Sequence, residues 1–367
     1  MSKSNPKNER IKRKYLQWQE TAKGASVKTT DQIAAAISAF EKSTGGKDFA
    51  AFHIEQAIKF KRDLEKPRPA NGKPLAKATI RSRSMAVKHF FKWLADQSGY
   101  KSRVIHADCE YFNLTANDTR VATARRERPI PTLEQVHHVI ESSPFETAVE
   151  MRDRALIAFT LLTGMRDAAI ASLPIGKLDV EARRVDQDAR VVLTKNAKTM
   201  LTFFFPVGGD AERIVADWQT YLRRDLLFCD TDPLFPRTQI GTDTHGEFTA
   251  LGLEPIYWAS TSPIRNVFRK RFVAARIPYF HPHSLRKTLM QLAFQMKLDP
   301  EALKVWSQNL GHEKLATSLN GYGRVSDWRV AKVMGTLATK CDKNFPTEVP
   351  EAVLDWMKGF TSMRGDS

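Results

Sequence analysis

The sequence predicts a mainly α fold with one small β-hairpin, an α+β chain built as two domains. Three observations lead there. Most of the 367 residues fall in segments whose apolar positions recur at helical spacing. The period changes to two over one stretch, "RVVLTKNAKTMLTFFFPV". The apolar pattern is lost in "ANDTRVATARRERPIP", where four arginines crowd between two patterned regions. A chain of this length is large for a single hydrophobic core and ample for two.

Taken in order, residues 1–28 open with six Lys or Arg against one Glu before Tyr15 and are read as a flexible basic arm. Residues 29–115 form a helical domain. Its first helix carries Ile33, Ile37 and Phe40 and ends at Gly45 and Gly46. A second lies in "FHIEQAIKFKRDLE", with Ile54 and Ile58 or Ala57 turned inward. A third, in "LAKATIRSRSMAVKHFFKWLADQSG", aligns Ile80, Val87, Phe91 and Leu94, with Lys77, Arg81, Arg83 and Lys88 largely on the remaining surface. Residues 116–130 are a charged linker. Residues 131–340 form the second domain, entered by a capping box of Thr132 and Gln135. A long helix follows to Gly164, then the hairpin with Lys195 and Lys198 in its five-residue tip, and then further helices. Residues 341–367 are a tail with Val353, Trp356 or Met357, and Phe360 at helical spacing, able to pack on a neighbouring subunit or on its own body.

A formal net charge of +16 distributed along the chain calls for a polyanionic partner. A membrane surface is the weaker option, because no run of about 18 apolar residues is present and the basic start is not followed by an apolar segment. The expected location is the cytoplasm. Cys109, Cys229 and Cys341 are odd in number and lack a C-x-x-C, which argues against a disulfide framework and a structural zinc site and for small buried thiols.

Several residues could carry chemistry. Arg166 sits in the apolar run "LLTGMRDAAIASL", where a guanidinium needs either an ion pair, with Asp167 or Asp153, or a phosphate. His283 and Arg286, three apart in "HPHSLRKTL", can reach one anionic oxygen. His281 and His283 lack a carboxylate at helical spacing to complete a metal site. "LGHEKLATSLNGYG" brings His312 near Tyr322, and every other tyrosine precedes His312.

In combination and order, Arg166 after "TG", the lysine-tipped hairpin, His283-Ser-Leu-Arg286, Gly311-His312 and Tyr322 resemble the tyrosine recombinase family, the phage integrases, which share a catalytic core with type IB topoisomerases. The resemblance covers most of the chain and implies an N-terminal core-DNA-binding domain and a catalytic domain closing as a clamp around double-stranded DNA. It implies site-specific recombination through a 3′-phosphotyrosyl intermediate with no cofactor and no metal. Tyr322 is then the nucleophile, Arg166, Arg286 and His312 hold the scissile phosphate, His283 is the base or proton shuttle, and Lys195, with Lys198 as rival, protonates the leaving 5′ oxygen. A homotetramer on specific sites, monomeric or weakly associated off DNA and aided by accessory DNA-bending proteins, is the implied assembly. A nicking-resealing topoisomerase and a DNA binder that has lost the chemistry are the alternative readings. Two departures stand out. Tyr322 follows His312 by ten positions, one more than usual, between Gly321 and Gly323, and the acidic residue expected three positions after Arg166 is Ala169.

Overall fold

The computed structural model describes residues 5–68, 72–124, 129–242 and 246–312. Tyr322 and the tail 341–367 lie outside the described residues. The chain divides into two compact units, Met1–Arg126 and Glu127–Ser367.

The first unit contains α1 (Pro6–Thr21), α2 (Val27–Ser43), α3 (Ile54–Glu65), α4 (Lys77–Ala95) and α5 (Ala116–Thr123). Its core is aromatic. Phe40 meets Phe60, Phe91 and Phe112 edge to face, while Phe52 stacks on Phe91 and on Phe112. Such pairs add about 0.5–1.5 kcal/mol each beyond the area they bury. The α4 stripe of Ile80, Val87, Phe91 and Leu94 is buried, whereas α3 turns in Ala57, Phe60 and Leu64 and leaves Ile54 and Ile58 half-buried.

Two segments differ from the sequence reading. The segment read as a flexible arm contains helix α1, whose Ile11 and Tyr15 are buried and whose Tyr15 ring stands 4.9 Å from Trp93 and 5.1 Å from Phe90. Its inward face includes two polar residues with distant partners. Asn8 donates to Glu41 and to the Lys47 carbonyl and accepts from the Phe49 N–H, and Lys12 pairs with Glu41 at 2.7 Å. Residues 116–123 of the segment read as a linker form α5, started by the Thr115 hydroxyl accepting from the Asp118 N–H.

The second unit contains α6 (Leu133–Glu141), α7 (Ala148–Thr163), α8 (Asp167–Ala171), β1 (Leu178–Asp179), β2 (Arg184–Gln187), β3 (Met200–Phe203), α9 (Ala211–Arg224), β4 (Arg237–Thr242), β5 (Phe248–Glu254), α10 (Ser262–Ala274), α11 (Leu285–Gln295) and α12 (Pro300–Asn309). Capping boxes start α6 at Thr132 and Gln135 and α7 at Thr147 and Glu150. From Ala155 to Thr163 every residue of α7 is buried, so this helix is the axis of the core, covered on all sides. Within α7, Asp153 binds Arg152 at 2.7 Å and Arg271 at 3.2 Å, and all three side chains are almost wholly buried.

Antiparallel β1, β2 and β3 form a sheet in that order, with Arg184 opposite Phe203 and Gln187 opposite Met200. The hairpin therefore exists with Lys195 and Lys198 between its strands, but its first strand is Arg184–Gln187 instead of the β-branched run 191–194. Asp188 explains the shift. Its carboxylate accepts from the Arg190 backbone N–H and guanidinium, and the Val191 and Val192 N–H groups return to its carbonyl, which closes a turn where a strand was expected. A second hairpin, β4 with β5, was not anticipated. Among the thiols, Cys109 is buried and its pKa is pushed up to about 11 by desolvation, whereas Cys229 is exposed, contrary to the expectation of buried thiols. Among the described residues no helix is long and apolar enough to cross a membrane.

Candidate active site

Helix ends build the site. Gly164 terminates α7 at φ +57°, ψ +21°, a left-handed conformation that costs other residues roughly 1–2 kcal/mol. Space demands glycine there as well, since a Cβ would stand 2.7 Å from Leu310 Cδ2 and 2.9 Å from Leu289 Cδ1. The turn this glycine allows sets Arg166 two residues on, as the extended N-cap of α8. At α12 the same device recurs. Gly311, φ +69°, donates to the Gln308 carbonyl while His312 N–H donates to the Ser307 carbonyl, a paired closure of the helix end that delivers His312 directly after it.

Arg286, in the first turn of α11, joins these two ends. Its Nη1 donates to the Gly164 carbonyl and its Nη2 to the Leu310 carbonyl, with His312 Nε2 3.1 Å from Nη2. The negative ends of two helix dipoles thus fix a buried guanidinium, and its Nε has no partner among the described residues. Burial first, and then the charge of Arg166, bring the Arg286 pKa down to about 9. It remains a cation at neutral pH.

Arg166 is half-buried and its pKa is lowered by desolvation. Its guanidinium makes no hydrogen bond or ion pair to any described residue. Both acids considered as its partners are otherwise engaged: Asp167 with Arg265 at 3.3 Å and His281 at 3.9 Å, and Asp153 in the α7 cluster. Neither acid pairs with Arg166, and among the described residues no carboxylate bonds either Arg166 or Arg286.

His312 is held down to about 4, by desolvation first and then by Arg286, Arg166, His283 and Lys195. It is neutral at pH 7, and accepting from Arg286 at Nε2 leaves its proton on Nδ1. His283 is carried on a 3₁₀ turn, Pro282–Ser284, that the His281 ring caps by accepting from the His283 N–H at 3.2 Å. The His283 ring is exposed at the rim, yet crowding and then Arg286 and Arg166 lower its pKa. Lys195 is exposed on the hairpin tip, where the next residue, Asn196, is left-handed at φ +60°. Lys195 acts on the His312 charge, and Lys198 lines a groove between β3 and α12 with Leu201, Phe203 and Val305.

Of the six sequence candidates, Arg166, Lys195, His283 and Arg286 are thus brought within electrostatic reach of a fifth, His312. Sequence reasoning missed the carbonyl clamp on Arg286 and the Asp167, Arg265 and His281 cluster beside it. The two glycines at helix ends were the available signal for the clamp.

The helical core, the three-stranded sheet and the convergent cations are accompanied by a family match. Residues 132–329 match the phage integrase family, and the chain belongs to it. Tyrosine recombinase XerC of Shewanella amazonensis is 26% identical over 185 residues, 50% of this chain and 53% of that protein. XerC of Lactobacillus delbrueckii subsp. bulgaricus is 24% identical over 262 residues, 70% of this chain and 76% of that protein. The chain thus spans about half the length of the first relative and three quarters of the second. Among solved structures, a lambda integrase dimer bound to a COC′ core site shares the fold with a TM-score of 0.57 at 13% identity, over 87% of this chain and 97% of that one.

Proposed function

We propose that this protein is a site-specific DNA recombinase that cleaves and rejoins strands through a 3′-phosphotyrosyl intermediate on Tyr322. The observation that carries the reading is the pairing of Arg286, pinned by carbonyls at Gly164 and Leu310, with an Arg166 that has no partner among the described residues and a neutral His312, a cationic centre that gains from an anion. A phosphodiester supplies the missing negative charge. Arg166 and Arg286 take its non-bridging oxygens with planar forks that a lysine cannot reproduce, and each preorganised donor supplies ~3–4 kcal/mol of transition-state stabilisation.

The tyrosine oxygen attacks phosphorus, the phosphorus–O5′ bond breaks, and the phenolic proton passes toward His283, whose lowered pKa leaves it neutral and able to accept. Lys195 donates the proton to O5′. Its influence on the His312 charge supports it over Lys198. As the phosphate oxygens gather charge, His312 gains a reason to turn a donor toward them.

The +16 charge supports double-stranded DNA as the partner of both units, bound with steep salt dependence. Tetrameric assembly, help from DNA-bending proteins and a cytoplasmic location complete the proposal.

The test begins by sequencing DNA fragments recovered covalently attached to the protein. A duplex of that sequence, nicked so that a short 5′ fragment is lost after cleavage, should trap a covalent adduct with the wild type and none with Tyr322→Phe. Equal band shifts and no adduct from either would leave a DNA binder. Paired sites yielding recombinants identify a recombinase, whereas relaxation of supercoiled DNA lacking them identifies a topoisomerase-like enzyme.

A further inference from the structure

The hairpin presents a mechanical problem. Lys195 is exposed on a tip with two successive left-handed residues, Asn196 at φ +60° and Ala197 at φ +50°, and its ammonium has no hydrogen bond or ion pair to any described residue. A proton donor must nevertheless be held at a fixed place beside His312 and the two arginines. β3, the strand that leaves the tip, is the outer strand of its sheet. The Phe204 N–H points to β2, bonding the Arg183 carbonyl at 2.9 Å, so the N–H and carbonyl of Phe203 point the other way.

Both of those groups are taken by one side chain. The Phe203 N–H donates to Asn309 Oδ1 at 2.7 Å, and Asn309 Nδ2 donates to the Phe203 carbonyl at 2.8 Å. The Asn309 amide thereby substitutes for a neighbouring strand on the open edge. Asn309 is the last residue of α12, two before Gly311 and three before His312. Close to the tip a second contact holds the same two elements together, for Met200 Sδ lies 2.9 Å from where a Gly311 Cβ would stand.

We propose that Asn309 is a positioning residue that locks β3 to the end of α12 and so registers Lys195 against His312 for protonation of the leaving 5′ oxygen. This rests on the reading of Lys195 as the acid. Only the side-chain amide offers a donor and an acceptor at once: Asn309→Asp keeps an acceptor for the Phe203 N–H but sets a carboxylate oxygen against the Phe203 carbonyl, and Asn309→Ala removes both bonds.

The experiment uses the full chain and two nicked duplexes of the trapped sequence, one all-oxygen and one with sulfur replacing the scissile 5′ oxygen. A thiolate leaves without being protonated, because thiols ionise near 8.5 and alcohols far higher. Cleavage of the oxygen duplex should fall about tenfold in both Asn309→Ala and Asn309→Asp, equivalent to ~1.4 kcal/mol, while the sulfur duplex is cut within about twofold of wild type. Thermal unfolding and band shifts run in parallel establish that both variants are folded and bind. Equal loss on both duplexes, or loss on neither, overturns the proposal at Asn309. Failure of sulfur to restore Lys195→Ala overturns it through the acid assignment, which the Lys195 control reports separately.

Discussion

Replacing Arg286 by lysine keeps the positive charge and removes the fork. In the folded protein the guanidinium serves the Gly164 carbonyl, the Leu310 carbonyl and His312. An ammonium on a shorter, unforked side chain can serve one of them well. At least one helix-end carbonyl is then left buried without its donor, which costs about 1–3 kcal/mol for such a group, and the two helix ends lose their common tie. A stability loss of about 2–4 kcal/mol is expected in denaturant unfolding. The phosphate loses a preorganised donor in addition, worth about 10²–10³ in rate. Single-turnover adduct formation on the nicked duplex at saturating protein separates the two effects, since binding no longer limits. A variant within threefold of wild type in adduct rate, with unchanged unfolding midpoint, would refute the clamp and the phosphate role together.

Further outcomes follow from the same geometry. Gly164→Ala forces a side chain into the left-handed region against Leu310 and Leu289, and urea unfolding should report a loss of roughly 2–5 kcal/mol from backbone strain and overpacking combined. Asp153→Ala leaves Arg152 and Arg271 buried without their shared acid, with an expected loss of about 3–5 kcal/mol in the same assay. Tyr15→Ala should destabilise the first unit by about 3–5 kcal/mol, measured as an earlier unfolding transition of residues 1–126 expressed together with the rest of the chain; no change would return α1 to the status of a loose arm. His312 is depressed to about 4 when folded against an ordinary 6.5, so the unfolded chain binds more protons between those values and stability falls as pH drops from about 6.5 toward 4. His312→Gln should flatten that part of the melting-temperature profile.

What could be read from the sequence depended on where each residue's partners lie along the chain. The α4 stripe and the Thr132–Gln135 capping box are local patterns, complete within a few residues, and they appear as expected. Helix α1 carries Ile11, Tyr15 and Trp18 at helical spacing, but its buried face also uses Asn8 and Lys12, and only Glu41, Lys47 and Phe49 make those residues tolerable inside. Amid basic residues that face looks solvated until its partners are known. The run 191–194 has strand-forming residues, yet Asp188 bends the chain first. At the site, residue type and order singled out His312 together with Arg166, His283 and Arg286, which the fold brings within electrostatic reach of it. The supports, Gly164 O, Leu310 O and Asn309, were not legible. A backbone carbonyl has no residue signature, and an asparagine at a helix end is ordinarily no more than a stop signal.

The proposed reaction depends on one phenol reaching a phosphate held by Arg166, Arg286 and His312. Proteolysis of the trapped protein–DNA adduct followed by mass spectrometry measures this directly. The nucleotide-bearing peptide should contain Tyr322 and no other tyrosine, and the Arg166→Ala and Arg286→Ala proteins should yield little of it. Nucleotide on Tyr257 or Tyr279, on a serine, or on Tyr322 at undiminished yield without the two arginines would contradict it.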